Sequence, residues 1–198
     1  MNKKKEEEFV LRKEYKESWN FIKDSKNFIF IGISIFFVLF LIGFFVPAPE
    51  FIAEQISQFV QELLEKTKNM SLEELTGFIF LNNLQTSFFA MVLGVFLGLV
   101  PIFLAMANGY ILGFIASLSV KSGGLMVLWR LFPHGIFELP AVFISLGLGL
   151  KLGSFIFQKK RIKSLKEFLW KSLKTFLLVI VPLLIIAAII EGVLIFLA

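Results

Sequence analysis

The sequence contains no cysteine and a single histidine, His134, and only 18% of its 198 residues are charged. Without cysteine there is no disulfide framework, no thiol nucleophile and no Cys-ligated zinc or iron–sulfur site. One histidine excludes a multi-histidine metal site within the chain. What is abundant instead is apolar: 57% of the residues are hydrophobic, 26 of them phenylalanine, and they gather in runs of about 20, longer than core helices need. The bilayer is the solvent in which to read this chain.

Phe28 to Val46 carries no charge and is about long enough to cross a hydrocarbon core. Pro47 and Pro49 stand where a signal peptidase site would lie, so an uncleaved signal-anchor is expected. Ser71-Leu72-Glu73-Glu74 has capping-box spacing and predicts a helix start. The nearly charge-free stretch from Leu75 to Val120 would be about 69 Å long as one helix, so two spans must share it. Gly98-Leu99-Val100-Pro101 is the natural break, with span two at 76–97 and span three at 101–118. Gly124 to Gly149 is apolar but interrupted by Arg130, Pro133, His134, Glu138 and Pro140. It predicts a broken or re-entrant helix near Pro133–Pro140 leading into span four. Span five runs from Phe176 to Leu197, with Pro182 near its start and Glu191 inside it. The expected fold is an all-α membrane protein of about five transmembrane helices.

Residues 1–27 and 151–174 each carry eight lysines and arginines, whereas 47–75 has two lysines against six glutamates. Basic loops stay on the cytoplasmic side. The expected localisation is therefore the plasma membrane, with residues 1–27 a cytoplasmic segment, the acidic loop outside, a cytoplasmic basic loop at 151–174, and the C-terminus outside. The single membrane domain is 28–198. Within it, Ile52, Ile56, Phe59, Val60, Leu63 and Leu64 recur at helical spacing and predict an amphipathic outer helix at about 51–68, able to cap the bundle or meet a partner. Lys159 to Lys171, with Phe168, Leu169 and Trp170, predicts a basic interfacial helix. Orientation and anionic lipid explain these charges, so membrane lipid is the expected partner and nucleic acid is not.

Small residues recur every fourth position: Ala90, Gly94, Gly98; Ala105, Gly109, Gly113, Ser117; and Ala141, Ser145, Gly149, Gly153. Such stripes let backbones approach closely. They predict a tight bundle of spans two to four, with the bulkier spans one and five at its periphery.

Polar residues inside spans cost free energy unless they find a partner or water. The candidate functional cluster, expected to face outward, is Asn82, Asn83, Asn108, Arg130, His134 and Glu138, joined by Gln85, Thr86 and Glu191. The helix break would rest on Pro133, Gly135 and Pro140. Three readings of this cluster stay open: a structural polar network, a transport or channel path lined by a discontinuous helix, and an acid–base pair of His134 and Glu138 in an intramembrane enzyme. No nucleophile or metal set accompanies the pair, and His134-Gly-Ile-Phe-Glu138 is not the HExxH zinc-protease pattern. No cofactor is implied.

Three segments resemble the signature of the stage II sporulation protein M family: Leu81-Asn82-Asn83, Ala107-Asn108-Gly109 with Gly113, and the run from Leu131 through Pro133-His134-Gly135-Ile136-Phe137-Glu138-Leu139-Pro140 to Ala141. The likeness is dense from Leu81 to Gly149, and the five-span layout extends it loosely over the rest. In endospore formers the family's namesake works with two peptidoglycan hydrolases, one transglycosylase-type and one amidase/endopeptidase-type, in septal thinning and engulfment. The resemblance implies a membrane anchor or scaffold for outer-side cell-envelope partners, not an enzyme. A homo-oligomer, and a small transporter or channel subunit, remain as alternatives.

Overall fold

The structure is a computed structural model and describes residues 3–126, 128, 136 and 138–197. Eight α-helices follow in chain order, with no strand among the described residues: α1 Lys3–Asp24, α2 Lys26–Phe45, α3 Glu50–Thr67, α4 Leu72–Val92, α5 Leu99–Gly123, α6 Leu139–Gly153, α7 Arg161–Thr175 and α8 Val181–Phe196. Five helical segments among the described residues are long and apolar enough to cross a membrane. They are the five spans expected.

The local signals explain the boundaries. The Val46 C-cap is extended, as the residue before Pro47 must be, and ends α2. Ser71 and Glu74 close a capping box: the Ser71 amide donates to Glu74 Oε2 at 2.8 Å and the Glu74 amide to Ser71 Oγ at 3.3 Å. Between α4 and α5 the chain reverses through Leu97 and Gly98, both in the left-handed region at φ 58° and 74°. Leu97 is a strained position for a side chain. Pro101 then sits in the first turn of α5.

Direct backbone contacts fix the helix directions. A Cβ at Gly109 would collide with the Phe36 carbonyl and one at Gly113 with that of Phe40, so α2 and α5 run parallel. A Cβ at Gly149 would meet the Ala90 carbonyl of α4 and one at Gly153 the Gly94 carbonyl in the turn that continues α4, so α4 and α6 are also parallel. Ile29 meets Gly147 while Phe36 meets Phe143, and Thr76 meets Gly192 while Phe88 meets Phe176 at the start of the path into α8, which makes α2–α6 and α4–α8 antiparallel. These directions are those of five successive crossings. The two basic segments consequently meet at one end of the bundle, where Lys174 of α7 pairs with Glu14 and, at 3.0 Å, with Glu17 of α1. The acidic α3 connects spans at the opposite end.

At the centre stands α6, with 12 of its 15 residues buried. Its stripe meets that of α4, as expected. The α5 stripe divides: Ala105 joins them in one cluster with Ala90 and Leu146, whereas Gly109 and Gly113 lie on span one, which packs closely there while staying the least buried of the five spans. Gly32, Phe36 and Gly43 of α2 are buried, and the Phe36 ring packs edge-on against Phe143 of α6 at 5.2 Å. The phenylalanine-rich opposite face of α2 is exposed, which suits contact with lipid. Span five likewise packs on span two, with Leu184, Ala187 and Ala188 buried.

Two further segments differ from the sequence reading. Residues 1–27 contain a long helix, and the basic helix expected at 159–171 forms as α7 but does not end before span five. Arg161–Phe196 is one helical path of 36 residues, about 54 Å long against a hydrocarbon core of about 30 Å. Its basic first half must extend beyond the apolar layer. Continuity through Pro182 is kept by a π-helical turn at Phe176–Ile180, which widens the helix just where the proline ring would strike the carbonyl four residues earlier.

Candidate functional site

The polar set divides into residues with distinct surroundings. Asn82 and Gln85 are exposed on α4 three residues apart, on one helix face, while Asn83 and Thr86 are partly covered. Counted from Leu72, Asn82 lies about 15 Å into the span, near mid-depth. Asn108 is partly buried, and its side-chain amide donates to the Leu104 carbonyl one turn back at 2.9 Å. That bond is internal to α5. Glu138 is the N-cap residue of α6 and is 5% exposed. Pro140 follows at the second position of α6, where a missing N–H costs nothing. Arg130, Pro133, His134 and Gly135 lie outside the described residues. Among the described residues no three His, Asp or Glu side chains gather as metal ligands.

A second polar region, not foreseen from the sequence, lies at the basic end. Phe21 of α1, 4% exposed, inserts into the cluster formed by Leu148, Phe176 and Ile180. The Lys151 ammonium sits over its ring at 4.5 Å from the centroid, with Phe168 at 5.7 Å. This is a cation held by aromatic faces. A cavity of about 380 Å³ opens beside it between α1 and α7. The signal was weak because Phe21 is the single large apolar residue of α1 that is buried among its described side chains.

Lys174 donates a hydrogen bond to Glu17 and holds its carboxyl below the usual carboxylate range. A depressed carboxyl stabilises the folded form above its unfolded pKa of 4.5, and that contribution is lost as pH falls through the folded value. We therefore expect the thermal midpoint of the detergent-solubilised protein to fall between pH 6 and about pH 3 more steeply than that of Lys174→Gln. Parallel pH profiles of the two proteins would remove the pair from the account.

The family model described as Stage II sporulation protein M matches residues 32–194. The chain belongs to this family. The match takes in the five spans, from within α2 to within α8, and leaves out α1, so five of the eight residues lining the basic-end cavity lie outside the matched region. The family supports a sporulation-related, multi-pass membrane protein. No curated protein and no solved structure matches the chain.

Proposed function

We propose that this stage II sporulation protein M family member is a membrane scaffold that recruits envelope proteins, peptidoglycan hydrolases in a spore former, to the α3 side of the bundle. That side is the outer one, with the N-terminus cytoplasmic and the C-terminus outside. The observation that carries the reading is α3 itself. Ile56 alone is buried among the described residues of this 18-residue helix, while Phe51, Phe59 and Leu64 are more than half exposed. A helix packed so lightly contributes little to the bundle and leaves apolar side chains exposed on either side of Ile56, beside Glu54, Glu62 and Glu65. The pairing of Lys174 with Glu14 and Glu17 supports this orientation, since it joins the two basic segments at one end, as the positive-inside rule expects of a cytoplasmic face.

The exposed amides of Asn82 and Gln85 favour lateral assembly as well. Mid-span amides facing hydrocarbon are costly and are answered by another helix, of a second copy or of a partner. A transport path through Glu138 is the competing reading.

Co-purification from the native membrane separates the two. Gln58→Lys with Glu62→Lys is expected to abolish recovery of outer-side partners, and Glu138→Gln to leave it intact. Flux in liposomes that Glu138→Gln eliminates, with recovery of no partner, would replace the scaffold by a transporter.

A further inference from the structure

The cavity between α1 and α7 has the features of a binding site. At about 380 Å³ it falls within the usual size of small-ligand pockets, roughly 300–1,000 Å³. Ser18 and Thr175 line it, are 2% and 0% exposed, and leave their hydroxyls with no hydrogen-bond partner. Two buried helical hydroxyls return to the carbonyl one turn back, Ser25 to Phe21 at 2.6 Å and Ser145 to Ala141 at 3.0 Å. Ser18, Ser87, Ser172 and Thr175 do not, and of these Ser18 and Thr175 line the cavity. A shielded hydroxyl is costly unless something in the cavity answers it.

The charges select what answers. Lys171 and Lys174 line the same cavity. An ammonium has three donors. Lys171 spends one on Glu167, and Lys174 spends two on Glu14 and Glu17, so both retain capacity for an acceptor. The surrounding segment 151–175 holds eight bases and one acid, a field that attracts anions. Glu17 and Asp24, however, also line the cavity and oppose a second negative charge. A group with one negative charge and several acceptor oxygens fits, which is a phosphodiester. Depth names its source: α1 ends at Asp24 just before the apolar run of α2, and Thr175 immediately precedes the apolar turn at 176–180. The cavity lies where the apolar layer begins, at the level of lipid headgroups.

We propose that the α1–α7 cavity binds the singly charged phosphodiester headgroup of an anionic lipid, with Lys171 and Lys174 donating to its oxygens and the side chains of Ser18 and Thr175, whose hydroxyls are shielded in this structure, rotating to do the same.

The test uses the full chain in neutral detergent, titrated with dioctanoyl phosphatidylglycerol, dioctanoyl phosphatidylcholine or inorganic phosphate while the thermal midpoint is followed. Saturable stabilisation by phosphatidylglycerol is expected, at least about tenfold stronger in affinity than with the other two. Ser18→Ala with Thr175→Val should weaken it by about tenfold while leaving the lipid-free midpoint equal or higher, because two unanswered hydroxyls are gone. Exposed Lys171→Gln should weaken binding similarly and carries the test should the double variant fail to fold. Lys163→Gln, which removes the same charge from α7 outside the cavity, should bind as the parent does. Equal response to all three compounds, inorganic phosphate binding as well as the lipid, or equal loss in Lys163→Gln and Lys171→Gln would each overturn the proposal. So would full affinity in both cavity variants.

Discussion

Valine at Gly113 of α5 is expected to unseat α2 and leave the protein polydisperse in detergent. Even a Cβ there would collide with the Phe40 carbonyl, and the neighbouring crossing at Gly109 has the same geometry with Phe36. The obstacle is helix backbone, not the end of a flexible side chain, so relief requires moving a whole span. Ordinary overpacking costs about 1–3 kcal/mol, and the loss here should lie at or above the top of that range. For a chain of this size that is on the order of a 10 °C fall in thermal midpoint. Gly77 of α4 provides the contrast, since a Cβ there meets nothing within 4 Å. Gly77→Ala should be neutral or slightly stabilising through helix propensity. If Gly113→Val melts and elutes as Gly77→Ala does, the α2–α5 crossing is wrong.

Phe21→Ala is expected to release α1 from the bundle. The ring is buried with Leu148, Phe176 and Ile180 and covers Lys151, which is 9% exposed. Truncating a buried phenylalanine costs about 3–5 kcal/mol, and here it also strips a shielded ammonium of its aromatic partner at 4.5 Å. The salt bridges from Lys174 to Glu14 and Glu17 remain but are partly solvated and contribute little alone. Hydrogen exchange over residues 10–24 should become fast in Phe21→Ala, with the spans still protected. Protection of α1 unchanged from the parent would mean that Phe21 is not its anchor.

These two predictions mark where the sequence was readable and where it was not. The capping box at Ser71 and the break at Gly98–Pro101 were legible because each is a local backbone requirement written in residue type. The small-residue stripes were legible as close approaches, and the α4–α6 contact followed from two stripes meeting. The partner of Gly109 and Gly113 was not, because α2 meets them with the carbonyls of Phe36 and Phe40, and a carbonyl has no signature in sequence. The basic helix and the last span read as separate elements because one is charged and the other apolar, and Pro182 near the start of the span gives no sign of continuity. One π turn absorbed the proline. Helix α1 was hidden for a different reason: its amphipathic signal is weak, and its docking rests on one phenylalanine with Ser18 and Ser25 either side. Of the candidate polar set, the structure describes Asn82, Asn83, Asn108 and Glu138 on three helices, and the pattern alone could not say that Asn82 faces outward while Asn108 bonds within its own helix.

The central claim is that partners are captured on the α3 side. It is tested most directly by photo-cross-linking in the native membrane from Leu64 of α3, 63% exposed, and from Ile162 of α7, 72% exposed. The account predicts adducts with outer-side envelope proteins from Leu64, lost on Gln58→Lys with Glu62→Lys, and none of these from Ile162. The same adducts from Ile162, or none from Leu64, would contradict it.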